Sequence, residues 1–170
     1  MKNLFVSIAG VSLFIILAGL FTKGYFKNAS DLGINRFEGP KKKIVYIGSL
    51  KLNVEVANTD ELRNKGLSVR SKMNDDEGML FIFDKKDTMP TFWMKNMEFP
   101  IDILWIKNGK VVQIHKNVPI PAKGTPDSKL KIYSPNTPID YVLEVSGGYC
   151  DKNVVLEGLT IDLTRALPAP

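Results

Sequence analysis

The sequence predicts a mainly β protein: a compact β-sandwich or barrel-like domain with one short helix, preceded by a single N-terminal transmembrane helix. Short segments in the second half alternate apolar and polar residues, an Asn-Gly pair separates two of them, and an uninterrupted apolar stretch lies near the N terminus. The 170 residues, 44% hydrophobic and 24% charged, have the composition of an ordinary globular protein. That length allows one compact domain and an appendage.

The apolar stretch covers residues 4–21 and is interrupted only by Ser7, Ser12 and glycines. It is about as long as a helix that crosses a hydrocarbon core. Residues 22–27 offer a poor small-x-small cleavage site, and no nearby cysteine could receive a lipid. We therefore expect residues 1–27 to be an uncleaved membrane anchor, followed by a linker at residues 28–40 that is rich in Gly, Asn, Asp and Pro.

The net charge of +5 belongs entirely to the N-terminal part of the chain. Residues 1–43 carry seven basic and two acidic groups, whereas residues 44–170 carry 16 of each. Nucleic-acid recognition needs a concentrated basic surface, so we expect no nucleic-acid partner for the folded domain. Cys150 is the only cysteine, which excludes an intramolecular disulfide.

The folded domain is expected at residues 41–165. Strands at residues 44–47 and 50–56 should pair as a hairpin around Gly48-Ser49. Thr59 or Asp60 can cap a short helix that ends at Lys65, before a glycine in a position that helix ends favour.

The second half of the chain is predicted to be β throughout. Strands are expected at residues 79–83, 101–106, 110–115 and 139–145, with a tight turn at 107–110, since Asn-Gly accepts the positive φ angles of a primed turn. Five prolines in residues 119–138 bracket a loop between two of these strands, as in many lids and binding loops. Residues 166–170 are expected to form a frayed end.

Charged and amphipathic residues lie inside strongly apolar segments in the middle of the chain. The segments at 77–81, 92–96 and 100–103 read EGMLF, FWMKN and PIDI. An ionic side chain inside an apolar run must be paired, lie at a pocket mouth or serve a function, because burying it alone costs several kcal/mol. We take the following residues as ligand-binding candidates: Arg70, Glu77, Trp93, Lys95, Asn96, Asp102 and Glu144.

Five ordered segments resemble one family, the domain of unknown function 192. They lie at residues 66–70, 77–81, 92–96, 100–103 and 141–145, and the similarity runs from about residue 50 to 161. The resemblance implies a compact β-sandwich or barrel-like domain, often behind a signal or membrane anchor, and no established activity. We therefore expect a single-pass membrane protein whose domain is extracytoplasmic, although the lysines flanking residues 4–21 slightly favour a cytoplasmic domain.

Each candidate also has a structural explanation. Asp102 should point to the face opposite its neighbours and would then need Arg70 or Lys95 as a partner, or it could bind the backbone amides of a loop. Glu144 is subject to the same alternatives. Trp93 could stack on a planar or sugar ligand, or it could simply be a core residue.

Metal and cofactor chemistry finds little support. The acidic residues 75–77 lack the spacing of a calcium loop, and His115 is the only histidine, so a zinc site of the usual kind cannot be assembled. We expect no metal and no cofactor. A nucleophilic pair of Cys150 and His115 remains a weak alternative, since a lone thiol is more often a small apolar filler.

Three functional hypotheses follow. The first is a membrane-tethered β domain that binds a small ligand such as a carbohydrate or a cell-envelope fragment. The second is a hydrolase or lyase in which Asp102 or Glu144 is a general base and Lys95 or Arg70 stabilises developing negative charge. The third is a protein interaction module of a membrane complex, with the apolar aromatic residues as anchors.

Overall fold

The computed structural model describes residues 40–167. Within them nine strands, two short α-helices and one turn of 3₁₀ helix follow one another along the chain. In chain order these elements are β1 (Lys41–Ile47), β2 (Leu50–Ala57), α1 (Asp60–Lys65), β3 (Glu77–Ile82), β4 (Phe92–Trp93), β5 (Ile101–Lys107), β6 (Lys110–Val118), the 3₁₀ turn (Asp127–Lys129), β7 (Ile132–Tyr133), β8 (Tyr141–Ser146), α2 (Tyr149–Lys152) and β9 (Ile161–Asp162).

Seven strands form one curled sheet in the order β6-β5-β8-β3-β2-β1-β9, and β4 and β7 form a separate two-stranded sheet. All neighbours in the large sheet are antiparallel except β2 and β3, which are parallel. The segment before β9 returns to the start of β6, where Lys110 bridges Thr160 and Val111 N–H donates to Leu159. The domain is thus mainly β and barrel-like, a curled half-barrel rather than a sandwich of two large sheets.

The local patterns in the sequence predicted several elements correctly. The hairpin of β1 and β2 forms in register, and the Thr59 hydroxyl caps α1 by accepting from Leu62 N–H at 3.2 Å. The turn between β5 and β6 places Asn108 and Gly109 at φ angles of 49° and 69°, as a primed turn requires.

Both faces of the large sheet are covered by apolar residues. Leu80, Leu104 and Leu143 lie in one core cluster, while their chain neighbours Phe81, Ile103 and Val142 lie in a second. Successive side chains of a strand point to opposite faces, so the two clusters mark the two sides of the sheet. We name them the leucine face and the aromatic face; the aromatic face carries the two-stranded sheet through Phe92 and Tyr133.

Two sequence predictions need correction. The domain has a second short helix, α2, in place of the single helix predicted; four residues are too few to show a helical period in the sequence. Ala166, predicted to begin a frayed end, is buried in the leucine-face cluster, and its N–H donates to Leu163. The last three residues fall beyond the part of the chain described.

The predicted anchor at residues 1–27 and almost all of the predicted linker at 28–40 lie outside the described residues. Across residues 40–167, no helix has the length and apolar character needed to cross a membrane.

Candidate functional site

A cavity of about 160 Å³ opens on the aromatic face of the sheet. It lies where the end of α1 and the loop after it meet β3, β8 and the segment that contains β4. Three of the seven predicted site residues line it: Trp93, Lys95 and Glu144. We call it the Glu144 cavity; its other lining residues are Arg63, Asn64, Lys65, Gly66, Leu67, Ser68, Phe81, Phe83, Pro90, Thr91, Phe92, Met94, Met97 and Ile101.

Glu144 reaches the cavity because of the register of β8. It pairs with Met79 on β3 and with Ile103 on β5, and residues directly opposite in a ladder share a face. Met79 and Ile103 both belong to the aromatic-face cluster, so the carboxyl group projects into apolar surroundings, where the residue is only 6% exposed. Among residues 40–167, none donates a hydrogen bond to this carboxyl or forms an ion pair with it.

Burial without a partner changes the acidity of this group. Loss of hydration raises the pKa of the Glu144 carboxyl from its ordinary 4.5 to about 8. No charged neighbour contributes to this shift, which is the behaviour of a carboxyl in an apolar pocket. At neutral pH the group is therefore mostly protonated and can both donate and accept a hydrogen bond.

Aromatic rings form one wall of the cavity. Phe81 and Phe92 meet edge to face with their ring centroids 4.9 Å apart, and Phe92 packs in the same way on Trp105 at 5.5 Å. Trp93 is different: it is 48% exposed and lies at the rim, with the Lys95 ammonium 5.4 Å from its ring centroid. Trp93 is thus a half-exposed surface residue, and the core interpretation of it was wrong.

The cations at the rim are already engaged by the protein. Lys95 pairs with Asp127 at 2.5 Å. Arg63 donates to the Ile82 carbonyl at 2.7 Å and to Asp60 at 2.6 Å. Exposed pairs of this kind contribute little energy and can rearrange, so they leave the cavity mouth basic without closing it.

Asp102 does not belong to this site. It lies opposite Val145, on the leucine face, and is fully buried. Its two oxygens accept three backbone N–H bonds, from Asn117 at 2.6 Å, Gly148 at 3.0 Å and Cys150 at 2.7 Å. Arg70 or Lys95 was expected as its partner, and that expectation was wrong; the alternative of a carboxylate that holds loop amides is confirmed.

Arg70, Glu77 and Asn96 are also outside the Glu144 cavity. The Arg70 guanidinium forms an ion pair with Glu55, and both line a neighbouring cavity of about 240 Å³. The Glu77 carboxylate accepts from Asn74 N–H at 3.1 Å and so closes the turn before β3. Asn96 has a φ of 58°, a left-handed conformation that asparagine tolerates in turns.

The family model for DUF192, described as an uncharacterised ACR, matches residues 43–163, most of the described domain. The chain belongs to the DUF192 family. This confirms the resemblance drawn from the five sequence segments. No curated protein matches the sequence.

Two solved structures are similar to this DUF192 domain. One is a protein of Sinorhizobium meliloti described as a candidate transcription regulator, with a TM-score of 0.65, 29% identity, and coverage of 75% of this chain and 97% of that chain. The other is a protein of unknown function from Novosphingobium aromaticivorans, with a TM-score of 0.61, 26% identity, and coverage of 72% and 84%. Both structures share the fold of this domain, and neither title names a ligand.

Sequence reasoning missed the residues that make the cavity of this DUF192 domain apolar. Phe81, Phe92 and Ile101 lie in the segments that carry the family resemblance, yet they look like ordinary core residues. Gly66, taken only as a helix end, also lines the cavity. Their proximity to Glu144 depends on the pairing of β3 with β8 and on the path of the loop to β4.

The alternative nucleophilic pair is not assembled. Cys150 lies in the leucine-face cluster, whereas His115 pairs with Ile103 and lies on the aromatic face. His115 Nδ1 accepts from Trp105 Nε1 at 2.8 Å, and burial lowers the pKa of its imidazole. Within residues 40–167, no group of three or more His, Cys, Asp or Glu side chains could hold a metal ion.

Proposed function

We propose that this DUF192 protein is a membrane-tethered β domain that binds a small hydroxylated ligand, such as a carbohydrate or a carbohydrate-bearing fragment of the cell envelope, in the Glu144 cavity. The tether would be the apolar stretch at residues 4–21, with the domain on the extracytoplasmic side.

The observation that carries the ligand-binding proposal is the unpartnered Glu144 carboxyl. Buried polar groups in proteins almost always have hydrogen-bond partners, and those without one call for an explanation. Asp102 follows the rule, and Glu55 pairs with Arg70 through Oε1 although its buried Oε2 has no partner. No described residue donates to either oxygen of the Glu144 carboxyl. A ligand in the cavity would supply the missing partner.

The chemistry of the walls favours a ligand with both apolar faces and hydroxyl groups. A protonated carboxyl can donate to one hydroxyl and accept from another. Phe92 offers a surface on which the C–H face of a sugar ring can stack, and Trp93 lines the cavity at its rim. A purely apolar ligand would leave the Glu144 carboxyl without a hydrogen-bond partner.

Calorimetric titration of the full-length chain in detergent tests this proposal, with N-acetylglucosamine, galactose, glucuronate and their short oligomers as probes. Glu144→Leu should weaken binding at least about tenfold, because the ligand hydroxyl would face a group that cannot hydrogen-bond. Glu144→Gln should retain most of the affinity, since the amide also donates and accepts. The matched control is Glu55→Gln, two strands away and outside the cavity, which should leave affinity unchanged.

Two results would contradict the proposal. One is that no probe binds the wild-type chain at millimolar concentration while the chain remains folded. The other is that Glu144→Leu binds a probe as tightly as the wild-type chain does.

One observation favours a second candidate, a hydrolase or lyase with Glu144 as general base. With a pKa of about 8, the ionised fraction of this carboxyl, which is the form that can act as a base, should rise as the pH increases from neutral toward 8. Asp102 is not proposed as the general base, because its oxygens already accept hydrogen bonds from three backbone N–H groups. Glu144→Gln separates the two functions: a binding domain keeps its affinity, whereas an enzyme that uses this base loses turnover while it still binds.

A nucleic-acid function is not favoured for this chain. The description of the Sinorhizobium meliloti relative concerns that protein. In this chain, residues 44–170 carry equal numbers of basic and acidic groups, which does not suit a surface that must neutralise phosphates. A protein partner is the third hypothesis, and the quenching of Trp93 fluorescence in vesicles, described below, tests it against a lipid surface.

A further inference from the structure

An exposed apolar surface with lysines at its edge lies beside the Glu144 cavity. On the outer side of the two-stranded sheet, Trp93 and Ile132 are cross-strand partners, 48% and 51% exposed. Their chain neighbours Phe92 and Tyr133 point the other way and pack on the core. The two-stranded sheet therefore presents one apolar side to the domain and another to the surroundings.

A groove of about 230 Å³ lies next to the two-stranded sheet, because Lys131 and Tyr133, the chain neighbours of Ile132, line it together with the proline-bracketed loop. Ile120, itself 48% exposed, and Leu130 line the groove together with Met94, which also lines the Glu144 cavity. We define the Trp93 face as Trp93, Ile120, Leu130 and Ile132 with the flanking Lys129 and Lys131. Clustered exposed apolar residues of this kind mark an interaction surface.

Basic residues predominate around the Trp93 face, although residues 44–170 as a whole carry equal numbers of basic and acidic groups. Residues 119–133 contain Lys123, Lys129 and Lys131 against the single acidic residue Asp127, which is itself paired with Lys95. The Lys131 ammonium lies 4.9 Å from the Tyr133 ring centroid, and Lys131 lines the groove. A partner for this surface should thus offer an apolar region to the exposed apolar residues and negatively charged groups to the flanking lysines.

Shared lining residues connect the start of the described chain with the Trp93 face through three successive cavities. Pro40 lines the cavity that contains Arg70, and Lys65 and Gly66 line both that cavity and the Glu144 cavity. Trp93 and Met94 also line the Glu144 cavity, and Met94 lines the groove as well. A linker of 13 residues at 28–40 could extend up to about 45 Å, so it would allow the Trp93 face to reach a bilayer; to this extent the inference rests on the tether proposed at residues 4–21.

We propose that the Trp93 face docks on the surface of an anionic lipid bilayer, with Trp93, Ile120 and Ile132 inserted at the interface and Lys129 and Lys131 against the lipid phosphates. Tryptophan favours the boundary between water and hydrocarbon because one end of its ring is apolar and the other polar. Lysines beside inserted apolar residues add attraction to anionic lipids. The docking does not require a ligand in the Glu144 cavity.

Intrinsic fluorescence can test the docking, because the chain has only two tryptophans and Trp105 is fully buried. The full-length chain is reconstituted in vesicles of phosphatidylglycerol and phosphatidylcholine with brominated acyl chains, which quench a tryptophan only on close approach. Trp93 fluorescence should be quenched relative to vesicles without bromine. The Trp93→Phe variant measures the background from Trp105, and flotation with the vesicles shows that the chain is bound.

Variants separate docking by this face from simple tethering by the N-terminal segment. Ile132→Asp should remove most of the quenching while the chain still floats with the vesicles. The matched control is Leu156→Asp, which replaces a 58% exposed leucine outside the Trp93 face and should leave quenching unchanged. Substituting glutamine for both Lys129 and Lys131 should reduce quenching in anionic vesicles, as should 1 M salt, where the screening length falls to about 3 Å.

The proposal would be overturned if the chain binds the vesicles but bromine does not quench its Trp93 fluorescence. The Trp93 face would then be assigned to a protein partner. Quenching that survives Ile132→Asp would overturn it as well. Glu144→Leu should not change the quenching, so the failure of this proposal and the failure of the ligand-binding proposal can be distinguished.

Discussion

The pH dependence of stability should reveal the unpartnered carboxyl of Glu144. In the folded chain the group keeps its proton up to a pH of about 8, whereas in the unfolded chain it ionises near its ordinary pKa of 4.5. Since the unfolded state binds fewer protons between these values, raising the pH through this window favours unfolding. The wild-type chain should lose stability from about pH 4.5 upward, and the loss should level off above the folded pKa.

The size of this effect follows from the two pKa values. At about 1.4 kcal/mol for each pH unit, the loss is roughly 3 kcal/mol at pH 7 and roughly 5 kcal/mol above pH 8. Glu144→Gln has nearly the same shape and cannot ionise, so it should escape this loss. The variant should match the wild type near pH 4 and be more stable by roughly 3 kcal/mol at pH 7, on the order of 10 °C in melting temperature.

Thermal unfolding of the full-length chain, followed by circular dichroism from pH 4 to pH 9, measures the difference. Glu55→Gln is the control with the opposite expected sign, because it breaks the ion pair with Arg70 and should destabilise the chain. A Glu144→Gln variant that is less stable than the wild type at pH 8, or a difference that does not grow with pH, would refute the assignment of a strained, unpartnered carboxyl.

Three further predictions concern the rest of the domain. Asp102→Asn should cost about 3 kcal/mol in denaturant unfolding, because an amide NH₂ would face loop N–H donors, whereas Asp151→Asn on the exposed surface should cost less than about 1 kcal/mol. Gly78→Ala should destabilise by about 2 kcal/mol or more, since its Cβ would lie 2.8 Å from a β8 carbonyl oxygen; Gly124→Ala, with open space and only a positive φ, should cost about 1 kcal/mol. The Cys150 thiol should resist a disulfide reagent until the chain unfolds, because burial and the Asp102 carboxylate raise its pKa, and rapid labelling of the native chain would contradict its burial.

The sequence predicts the local elements of this fold better than their arrangement. Alternation in β2 and the Asn108-Gly109 turn specify hairpins through contacts between near neighbours, and both are observed. The parallel pairing of β2 with β3 and the return of the chain before β9 join distant segments, and no short pattern encodes them. Two-residue strands such as β4 and β7 are too short to show a period.

The candidate site illustrates the same limit. Asp102 and Glu144 both appear in the sequence as an acid between apolar residues, and nothing local distinguishes them. The strand register separates them: one faces the leucine side and binds three backbone amides, while the other faces the aromatic side and lines a cavity. Of the seven candidates, Trp93, Lys95 and Glu144 line one cavity, whereas Arg70, Glu77, Asn96 and Asp102 lie outside it.

Carboxyl-carbon NMR of the full-length chain with ¹³C-labelled glutamate tests the central claim most directly, with the Glu144 signal assigned by its loss in Glu144→Gln. The account predicts that this signal titrates near pH 8 in the free chain, and that a sugar probe that binds moves it while the Glu55 signal stays in place. A Glu144 signal that titrates near pH 4.5, and that no sugar probe moves, would contradict the account.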